Sequence, residues 1–223
     1  MTEPVPITLS LPDGSGTSAL ADASASPWAA LVLAHGAGAG MHHPFIAALA
    51  RGLSQRGVAT LRFQFPFMEQ GSKRTDPPPV AHAVIRAAVI EAARRLPDVP
   101  LFAGGKSFGG RMTSQAQALQ PLPGVRGLAF VGFPLHPAGK PSVDRAAHLQ
   151  DVQVPMLFLQ GTRDALADME LMKQTVAAVH DRATLHIVDG ADHAFHVLAR
   201  SGRKDAQVRE ELASTMATWM RVS

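Results

Sequence analysis

Short apolar runs alternate along the chain with longer segments in which apolar residues recur at helical spacing. The runs are long enough for buried strands, and the amphipathic segments between them are long enough for helices. Strands that alternate with helices are typical of a mostly parallel sheet covered on both faces. The pattern predicts strands at 6–11, 30–34, 58–63, 99–104, 127–131, 154–159 and 184–188, and helices at 45–55, 80–96, 111–119, 166–180 and 205–221.

Three segments between these elements have the pattern of neither a strand nor a helix. Residues 12–27 are rich in Gly, Ser, Ala and Asp and predict a turn or a loose loop. Residues 64–79 contain four prolines and predict a long loop, and residues 132–153 connect two predicted strands. No repeat, low-complexity tract or linker interrupts this order, so the chain is predicted to form a single α/β domain, residues 1–223.

One segment, Gly105-Lys106-Ser107-Phe108-Gly109, fits the pattern G-x-S-x-G. This pattern marks the nucleophile elbow of α/β-hydrolases, a sharp turn that lifts a serine hydroxyl out of a buried strand. Glycine stands at both ends because a Cβ there would collide with a neighbouring strand or helix. The five residues alone are a weak signal, but a predicted strand precedes them and a predicted helix follows. Ser107 is therefore the predicted nucleophile.

An acidic residue and a histidine follow at the positions that such a serine needs. Asp164 comes just after the strand at 154–159, and His193 comes just after the strand at 184–188. The chain order Ser, Asp, His is the order of α/β-hydrolases. In that arrangement the histidine takes the serine proton, and the aspartate fixes the imidazole tautomer.

Three nearby residues are alternatives for these two roles. His196 is the rival of His193, which lies closer to the strand end. Asp168 and Asp189 are the rivals of Asp164, but Asp168 falls inside a predicted helix and Asp189 directly follows the last predicted strand. For Asp164 itself, the alternative role is to cap the helix that follows.

A loop of small residues follows the predicted strand at 30–34. Residues 35–40 read His-Gly-Ala-Gly-Ala-Gly. In α/β-hydrolases the loop after this strand supplies one N–H of the oxyanion hole, and the residue after the nucleophile supplies the other. Ala37 and Phe108 are therefore the predicted donors. His35 is expected to hydrogen-bond to the loop backbone, which is a structural role.

The composition argues against several other kinds of site. There is no cysteine, which excludes disulfides, thiolate metal sites and a cysteine nucleophile. The sequence pI is about 9.8, but the formal charge is only +3 and the basic residues are dispersed, so nucleic-acid binding is not predicted. His42 and His43 have no carboxylate at ligand spacing, so we predict no metal and no cofactor. No apolar run of membrane-spanning length and no signal peptide are recognised, which predicts a cytoplasmic protein without a membrane partner.

These motifs together resemble those of the small, lidless α/β-hydrolases near the dienelactone-hydrolase group. More narrowly, the chain resembles the family that includes a testis-expressed hydrolase-like protein and a subunit of a nuclear histone acetyltransferase complex. The resemblance implies an α/β-hydrolase fold with Ser107, Asp164 and His193 as the triad. Dienelactone hydrolases carry cysteine as the nucleophile, so their lactone specificity is not carried over. The matching segments are 34–38, 41–45, 62–67, 104–111, 161–164 and 191–195, and 104–111 is the most specific.

Many hydrolases of this fold insert a lid domain between the strand after the elbow and the acid-bearing strand. The corresponding connection here, residues 132–153, is long enough for a loop or one short helix but not for a domain. The site is therefore expected to be open, and to be covered mainly by residues 64–79 and 132–153.

Basic and aromatic residues flank the predicted site. Lys106, Arg111 and Arg163 are candidates for an anion site that binds a carboxylate or phosphate of the substrate. The alternative for these residues is an ordinary ion-pair network around the elbow, which is the commoner arrangement. Phe65 and Phe67 are candidates for the lining of an acyl pocket, and the alternative for them is a place in the core.

The sequence therefore favours a serine hydrolase that acts on esters or thioesters of a small-molecule acyl substrate. A catalytically idle interaction module that keeps the fold is the alternative from another class, motivated by the narrower resemblance. Acyl transfer to an alcohol or amine is a further alternative, since it uses the same residues. The sequence contains no signal for the oligomeric state.

Overall fold

The computed structural model describes residues 3–22, 24 and 26–223, and eight strands within these residues form one sheet. Their spatial order is β1-β2-β4-β3-β5-β6-β7-β8. Strands β1 and β2 pair antiparallel at one edge, and β3 to β8 are parallel. In chain order the strands are β1 Val5–Ser10, β2 Gly16–Asp22, β3 Ala29–Ala34, β4 Val58–Phe63, β5 Leu101–Lys106, β6 Val125–Val131, β7 Met156–Gly161 and β8 Ala183–Val188.

Helices cover both faces of the sheet, and each face has its own apolar cluster. The helices are α1 Pro44–Ser54, α2 Pro66–Glu69, α3 Pro78–Arg95, α4 Phe108–Leu119, α5 Met169–Ala178 and α6 Asp205–Val222. One cluster joins α3 and α4 to the sheet, and the other joins α1 and α6 to the opposite face. All residues of β3, β4 and β7 are buried as a result. The predicted arrangement of a mostly parallel sheet between helical layers is confirmed.

Residues 12–27 and 64–79 were predicted as loops, but each contains a strand or an α-helix, so those predictions were wrong in part. Residues 12–27 include β2, which pairs with β1 on one side and with β4 on the other. Gly, Ala and Asp, which make up most of β2, have low strand propensity, and here the pairing partners on both sides determine the strand. Residues 64–79 include the single turn α2, which begins at Pro66, where proline is favoured because it needs no backbone donor.

The connection between β6 and β7 contains no inserted domain. It runs over residues 132–155, and its only regular segment among the described residues is a run of 3-10 turns, Asp144–Asp151. This short connection is what the sequence predicted, and it leaves the carboxyl ends of the central strands without a lid. Helix α5 begins at Met169 rather than at residue 166, because the Asp168 side chain accepts a hydrogen bond from Leu171 N at 3.0 Å and caps the helix.

The elbow lies very close to the end of β3, and two glycines make this approach possible. A Cβ at Gly105 would lie 2.3 Å from Ala34 O, and a Cβ at Gly109 would lie 2.5 Å from His35 O. Both contacts are with backbone, which cannot rotate away as a side chain can. The glycines therefore bring the nucleophile turn against the loop that begins at His35.

We expect the substitution Gly109→Ala to lower the free energy of unfolding by about 2–3 kcal/mol, because the new methyl group forces β3 and α4 apart. Urea denaturation followed by tryptophan fluorescence measures the change. Gly38→Ala is the matched control, since no atom lies within 4 Å of a Cβ built at Gly38. Equal stability of the two variants would contradict this account of the elbow.

Candidate active site

Ser107 occupies a strained turn at the carboxyl end of β5, in the middle of the sheet. Its φ is 52° and its ψ is −116°, a conformation that non-glycine residues rarely adopt. Hydrogen bonds hold the turn on both sides, from Ser107 N to Val131 O at 3.1 Å and from Arg111 N to Ser107 O at 3.0 Å. This geometry raises the Ser107 side chain above the edge of the sheet, as the G-x-S-x-G pattern predicts.

His193 lies between Ser107 and Asp164 and hydrogen-bonds to both. Its Nε2 is 2.9 Å from Ser107 Oγ, and its Nδ1 is 2.7 Å from Asp164 Oδ2. A carboxylate only accepts hydrogen bonds, so Nδ1 carries the imidazole proton and Nε2 is free to accept one from the serine hydroxyl. The structure thus brings together the three residues that the sequence selected as a triad.

Asp164 is held by more than the histidine. Its side chain is fully buried, Leu166 N donates to Oδ1 at 2.8 Å, and Gln160 Nε2 donates to Oδ2 at 2.6 Å. Sequence reasoning missed Gln160. The available signal was its position, because it is a polar side chain on the otherwise apolar strand β7, four residues before the aspartate.

The three rival residues have other partners. His196 Nδ1 pairs with Asp205 Oδ2 at 2.9 Å on the surface, and Asp168 caps α5. Asp189 Oδ1 accepts a hydrogen bond from Thr162 Oγ1 at 3.3 Å. None of the three contacts the serine–histidine pair.

The loop that carries His193 is shaped by Asp192. Its Oδ1 accepts hydrogen bonds from Ala194 N and His196 N, each at 2.9 Å, and closes a tight turn around the histidine. The loop also lies against the end of β7, where a Cβ at Gly161 would be 2.3 Å from Ala191 O. His193 is therefore positioned by the strand that precedes Asp164 as well as by Asp164 itself.

Lys106 connects the nucleophile strand to the histidine loop. Its Nζ donates to His193 O at 2.6 Å and lies 5.5 Å from the centre of the Phe195 ring. Burial lowers the pKa of Lys106 from its ordinary value of 10.5 to about 8, although the charges of Asp164 and Asp192 oppose that shift. Lys106 therefore supports the backbone of His193.

Of the two amides predicted for the oxyanion hole, that of Phe108 belongs to the residue after the serine, and Ala37 lines the same cleft as Ser107. Among the described residues, neither Ala37 N nor Phe108 N donates a hydrogen bond to another protein group. The loop that carries Ala37 is fixed by His35, whose Nδ1 is 2.7 Å from Gly36 O and whose Nε2 accepts from Phe65 N at 3.0 Å. Burial lowers the pKa of His35 to about 4, so the ring is neutral at pH 7 and can make both contacts.

An open cleft of about 340 Å³ lies beside Ser107. Apolar side chains line most of it, and the polar side chains at its surface are His43, Lys106, Ser107 and His193. The apolar part of the wall is formed by Ala37, Ala39, Phe45, Ile46 and Ala194.

Phe65 and Phe67, the candidates for an acyl pocket, do not line this cleft. Both are almost completely buried and pack against the rings of His35 and Phe108, beneath the oxyanion loop. Burial of their apolar rings in the core is more favourable than exposure at the cleft, and in the core they support the loop that carries Ala37. The structure thus places them in the alternative position that the sequence allowed.

The family model described as an alpha/beta hydrolase domain matches residues 27–221. The chain belongs to the α/β hydrolase domain family.

Solved α/β hydrolases share the fold over nearly the whole chain. A serine hydrolase homologue from Coxiella burnetii is 20% identical, with a TM-score of 0.77 over 96% of this chain and 98% of that one. A serine hydrolase without a lid from Xanthomonas campestris is 23% identical, with a TM-score of 0.76 over 98% and 96%. Dienelactone hydrolase from Anabaena variabilis is 17% identical, with a TM-score of 0.78 over 99% and 98%. These similarities establish the fold.

The basic residues around the elbow of this α/β hydrolase do not form the ion-pair network that was the alternative to an anion site. Among the described residues, Lys106, Arg111 and Arg163 make no ion pair with a carboxylate. Lys106 binds a backbone carbonyl, and Arg163 Nη1 donates to Gly190 O at 3.3 Å. Arg111 has no hydrogen-bond partner for its guanidinium in the described part of the chain.

The described residues contain no group of three His, Asp or Glu side chains placed to hold a metal ion. His43, one of the two adjacent histidines, caps α1 instead, because its Nδ1 accepts from Phe45 N at 3.2 Å. No helix in the same residues is both long enough and apolar enough to cross a membrane.

Lys106 makes the stability of this hydrolase depend on pH. Between pH 8 and 10.5 the unfolded chain keeps the Lys106 proton while the folded chain loses it, so the free energy of unfolding rises with pH in this window. We expect a rise of up to about 3 kcal/mol in the wild type and a much smaller one in Lys106→Met. Urea denaturation at a series of pH values measures both.

The chain has no tyrosine and no cysteine, so lysines and the α-amino group are the groups that titrate in this window. Lys140→Met is the control, because Lys140 is exposed. The free energy of unfolding of Lys140→Met should rise with pH by the same amount as that of the wild type. If the free energy of unfolding of Lys106→Met rose between pH 8 and 10.5 as much as that of the wild type, the buried Lys106 would not be the cause of the rise.

Proposed function

We propose that this α/β hydrolase cleaves carboxylic esters or thioesters of small acyl groups by a serine mechanism. The observation that carries the proposal is the hydrogen-bond chain from Asp164 through His193 to Ser107, with distances of 2.7 and 2.9 Å. A serine hydroxyl is too weak an acid to attack a carbonyl at neutral pH without a base in hydrogen-bond reach. His193 Nε2 supplies that base beside an open cleft.

In the acylation step, Ser107 Oγ attacks the substrate carbonyl carbon while His193 Nε2 accepts the hydroxyl proton. The resulting imidazolium is stabilised by Asp164, which keeps its negative charge. The tetrahedral intermediate then collapses, the bond to the leaving alcohol or thiol breaks, and His193 returns the proton to the leaving group. A water molecule repeats the sequence on the acyl-enzyme, which releases the acid and restores Ser107.

The amides of Ala37 and Phe108 would stabilise the negative charge that forms on the carbonyl oxygen. Neither amide donates a hydrogen bond to another described protein group. Phe108 directly follows Ser107 in the chain, and Ala37 lines the same cleft as Ser107. Loss of one such donor typically costs about 3–4 kcal/mol of transition-state stabilisation. His35 contributes indirectly, since it fixes the loop that presents Ala37.

The form of the cleft supports a small acyl group. A volume of about 340 Å³ with mainly apolar walls suits a short aliphatic chain or a small ring. The cleft beside Ser107 is open, so water can reach an acyl group on the serine, which favours hydrolysis over acyl transfer.

The cytoplasmic location and the small-molecule acyl substrate remain predictions. So does the narrower resemblance to the family of a testis-expressed hydrolase-like protein and an acetyltransferase-complex subunit, which carries no part of the proposal.

We expect a fluorophosphonate probe to label Ser107 of the folded protein, and peptide mass spectrometry identifies the labelled residue. His193→Ala should abolish the labelling because the serine then has no base. The same variant should lower kcat for p-nitrophenyl acetate by about 10³-fold or more, with the residual rate coming from the oxyanion hole and binding.

His196→Ala is the matched control, since His196 lies three residues away on the same loop and pairs with Asp205. It should be labelled and should turn over the ester as the wild type does. Wild-type protein that is folded but unlabelled, or His193→Ala protein that reacts at the wild-type rate, would overturn the proposal.

The length of the acyl chain should be limited by the wall of the cleft at Ala39. We expect Ala39→Leu to lower the kcat/KM ratio of p-nitrophenyl hexanoate to acetate by about 10-fold, because a larger side chain competes for space with the longer acyl chain. A series of p-nitrophenyl esters from acetate to decanoate gives the ratio. An unchanged chain-length profile would show that the acyl group binds elsewhere.

A further inference from the structure

Gln160 is a polar side chain in an apolar part of the sheet. It lies on β7, where residues 156–159 read Met-Leu-Phe-Leu, and it is fully buried. On the neighbouring strand β8 it is in register with Ile187. An amide loses its hydrogen bonds to water on burial, which is unfavourable unless protein groups replace them. The contacts of the Gln160 amide must therefore account for its presence here.

Only one end of this amide has a partner. Gln160 Nε2 donates to Asp164 Oδ2 at 2.6 Å, whereas no donor among the described residues reaches Gln160 Oε1. A buried acceptor without a partner destabilises the folded chain. The reverse orientation of the amide would place Oε1 against a carboxylate oxygen, and two acceptors repel each other. Asp164 therefore fixes the orientation of the amide and leaves Oε1 unpaired.

The Asp164 carboxylate is held at both oxygens by groups other than the histidine. Leu166 N donates to Oδ1 at 2.8 Å, and Gln160 Nε2 donates to Oδ2. One such contact would leave the carboxylate able to turn about its bond to Cβ, but contacts at both oxygens fix its plane. Oδ2, which lies 2.7 Å from His193 Nδ1, is thus already in place when His193 acts.

The position of Oδ2 matters most while His193 carries a proton from Ser107. The imidazolium then has its strongest interaction with Asp164, which exists in the transition state and not in the bound ester. Gln160 does not line the cleft, so it does not contact an ester bound there. Its contact with Asp164 is therefore expected to change kcat rather than KM.

We propose that Gln160 is a positioning residue, whose amide holds Asp164 Oδ2 in the orientation that His193 requires. This inference rests on the proposed serine hydrolase function and adds a fourth side chain to the hydrogen-bond chain of the site. It also explains why a buried glutamine with an unpaired carbonyl oxygen occupies a strand position that an apolar residue could fill.

The substitution Gln160→Met tests the proposal, because methionine is also long and unbranched but donates no hydrogen bond. We expect kcat for p-nitrophenyl acetate to fall by about 10-fold or more, since a hydrogen bond to a charged group is lost. KM should stay at the wild-type value. His193 transfers a proton in both acylation and deacylation, so both steps slow alike. Gln160→Leu is a second variant and should show the same loss of kcat.

Gln117→Met is the matched control. Gln117 is also a buried glutamine, but it lies on α4 and its Oε1 accepts from Leu122 N at 2.8 Å. This variant should lose stability in urea and keep the wild-type kcat and KM. Urea denaturation of every variant establishes that the kinetics are measured on folded protein.

A double-mutant cycle shows whether Gln160 acts through Asp164. The rate at which a fluorophosphonate labels Ser107 is measured for the wild type, Gln160→Met, Asp164→Ala and the double variant. We expect Gln160→Met to slow labelling in the wild-type background and to have no further effect when Asp164 is already alanine. Equal slowing in both backgrounds would mean that Gln160 does not act through the carboxylate.

The outcomes separate this inference from the proposed function. Folded Gln160 variants with the wild-type kcat, a loss of kcat that Gln117→Met shares, or additive effects in the cycle would overturn the role of Gln160 and leave the hydrolase function intact. A wild type that neither cleaves the ester in a Ser107-dependent manner nor reacts with the fluorophosphonate would overturn both.

Discussion

The candidate site depends on the meeting of three parallel strand ends, those of β5, β7 and β8, at one edge of the sheet. Parallel strands that lie side by side point their carboxyl ends the same way, so residues far apart in the chain come together there. His193 thus reaches Ser107 and Asp164, which are 86 and 29 residues away. Close backbone contacts at Gly105, Gly109 and Gly161 hold the strand ends and loops that carry these residues against one another.

Much of this arrangement could be predicted because its signals are local. The G-x-S-x-G segment, the aspartate after one strand and the histidine after the next each stand directly beside a strong apolar run. Strand β2 had no such signal. Most of its residues are small or polar, and it is a strand because β1 and β4 pair with it, which the residues adjacent in the sequence do not show.

The supporting contacts were harder to predict for the same reason. Gln160 reaches Asp164, Lys106 reaches the His193 carbonyl, and Phe65 packs under the oxyanion loop, and each of these contacts joins separate elements. The sequence showed that Lys106 and Arg111 flank the serine. It did not show that Arg111 has no carboxylate partner among the described residues, which depends on what the connection between β6 and β7 brings into contact with α4.

The polar groups around the site are arranged at a cost to folding. A buried ammonium at Lys106, a strained Ser107 and a half-buried, unpaired Arg111 all destabilise the folded chain, and the apolar clusters on both faces of the sheet offset them. Such local departures from the rules of stable packing are expected where a site has a function.

The most direct test of the central claim is to look for the acyl-enzyme itself. The protein is mixed with p-nitrophenyl acetate at comparable concentrations, the early release of p-nitrophenol is followed, and the quenched protein is digested for mass spectrometry. The account predicts a burst that approaches one equivalent per chain and an acetyl group on the peptide that contains Ser107. A folded protein that shows no burst and no acetylated Ser107, or one that carries the acetyl group on another residue, would contradict it.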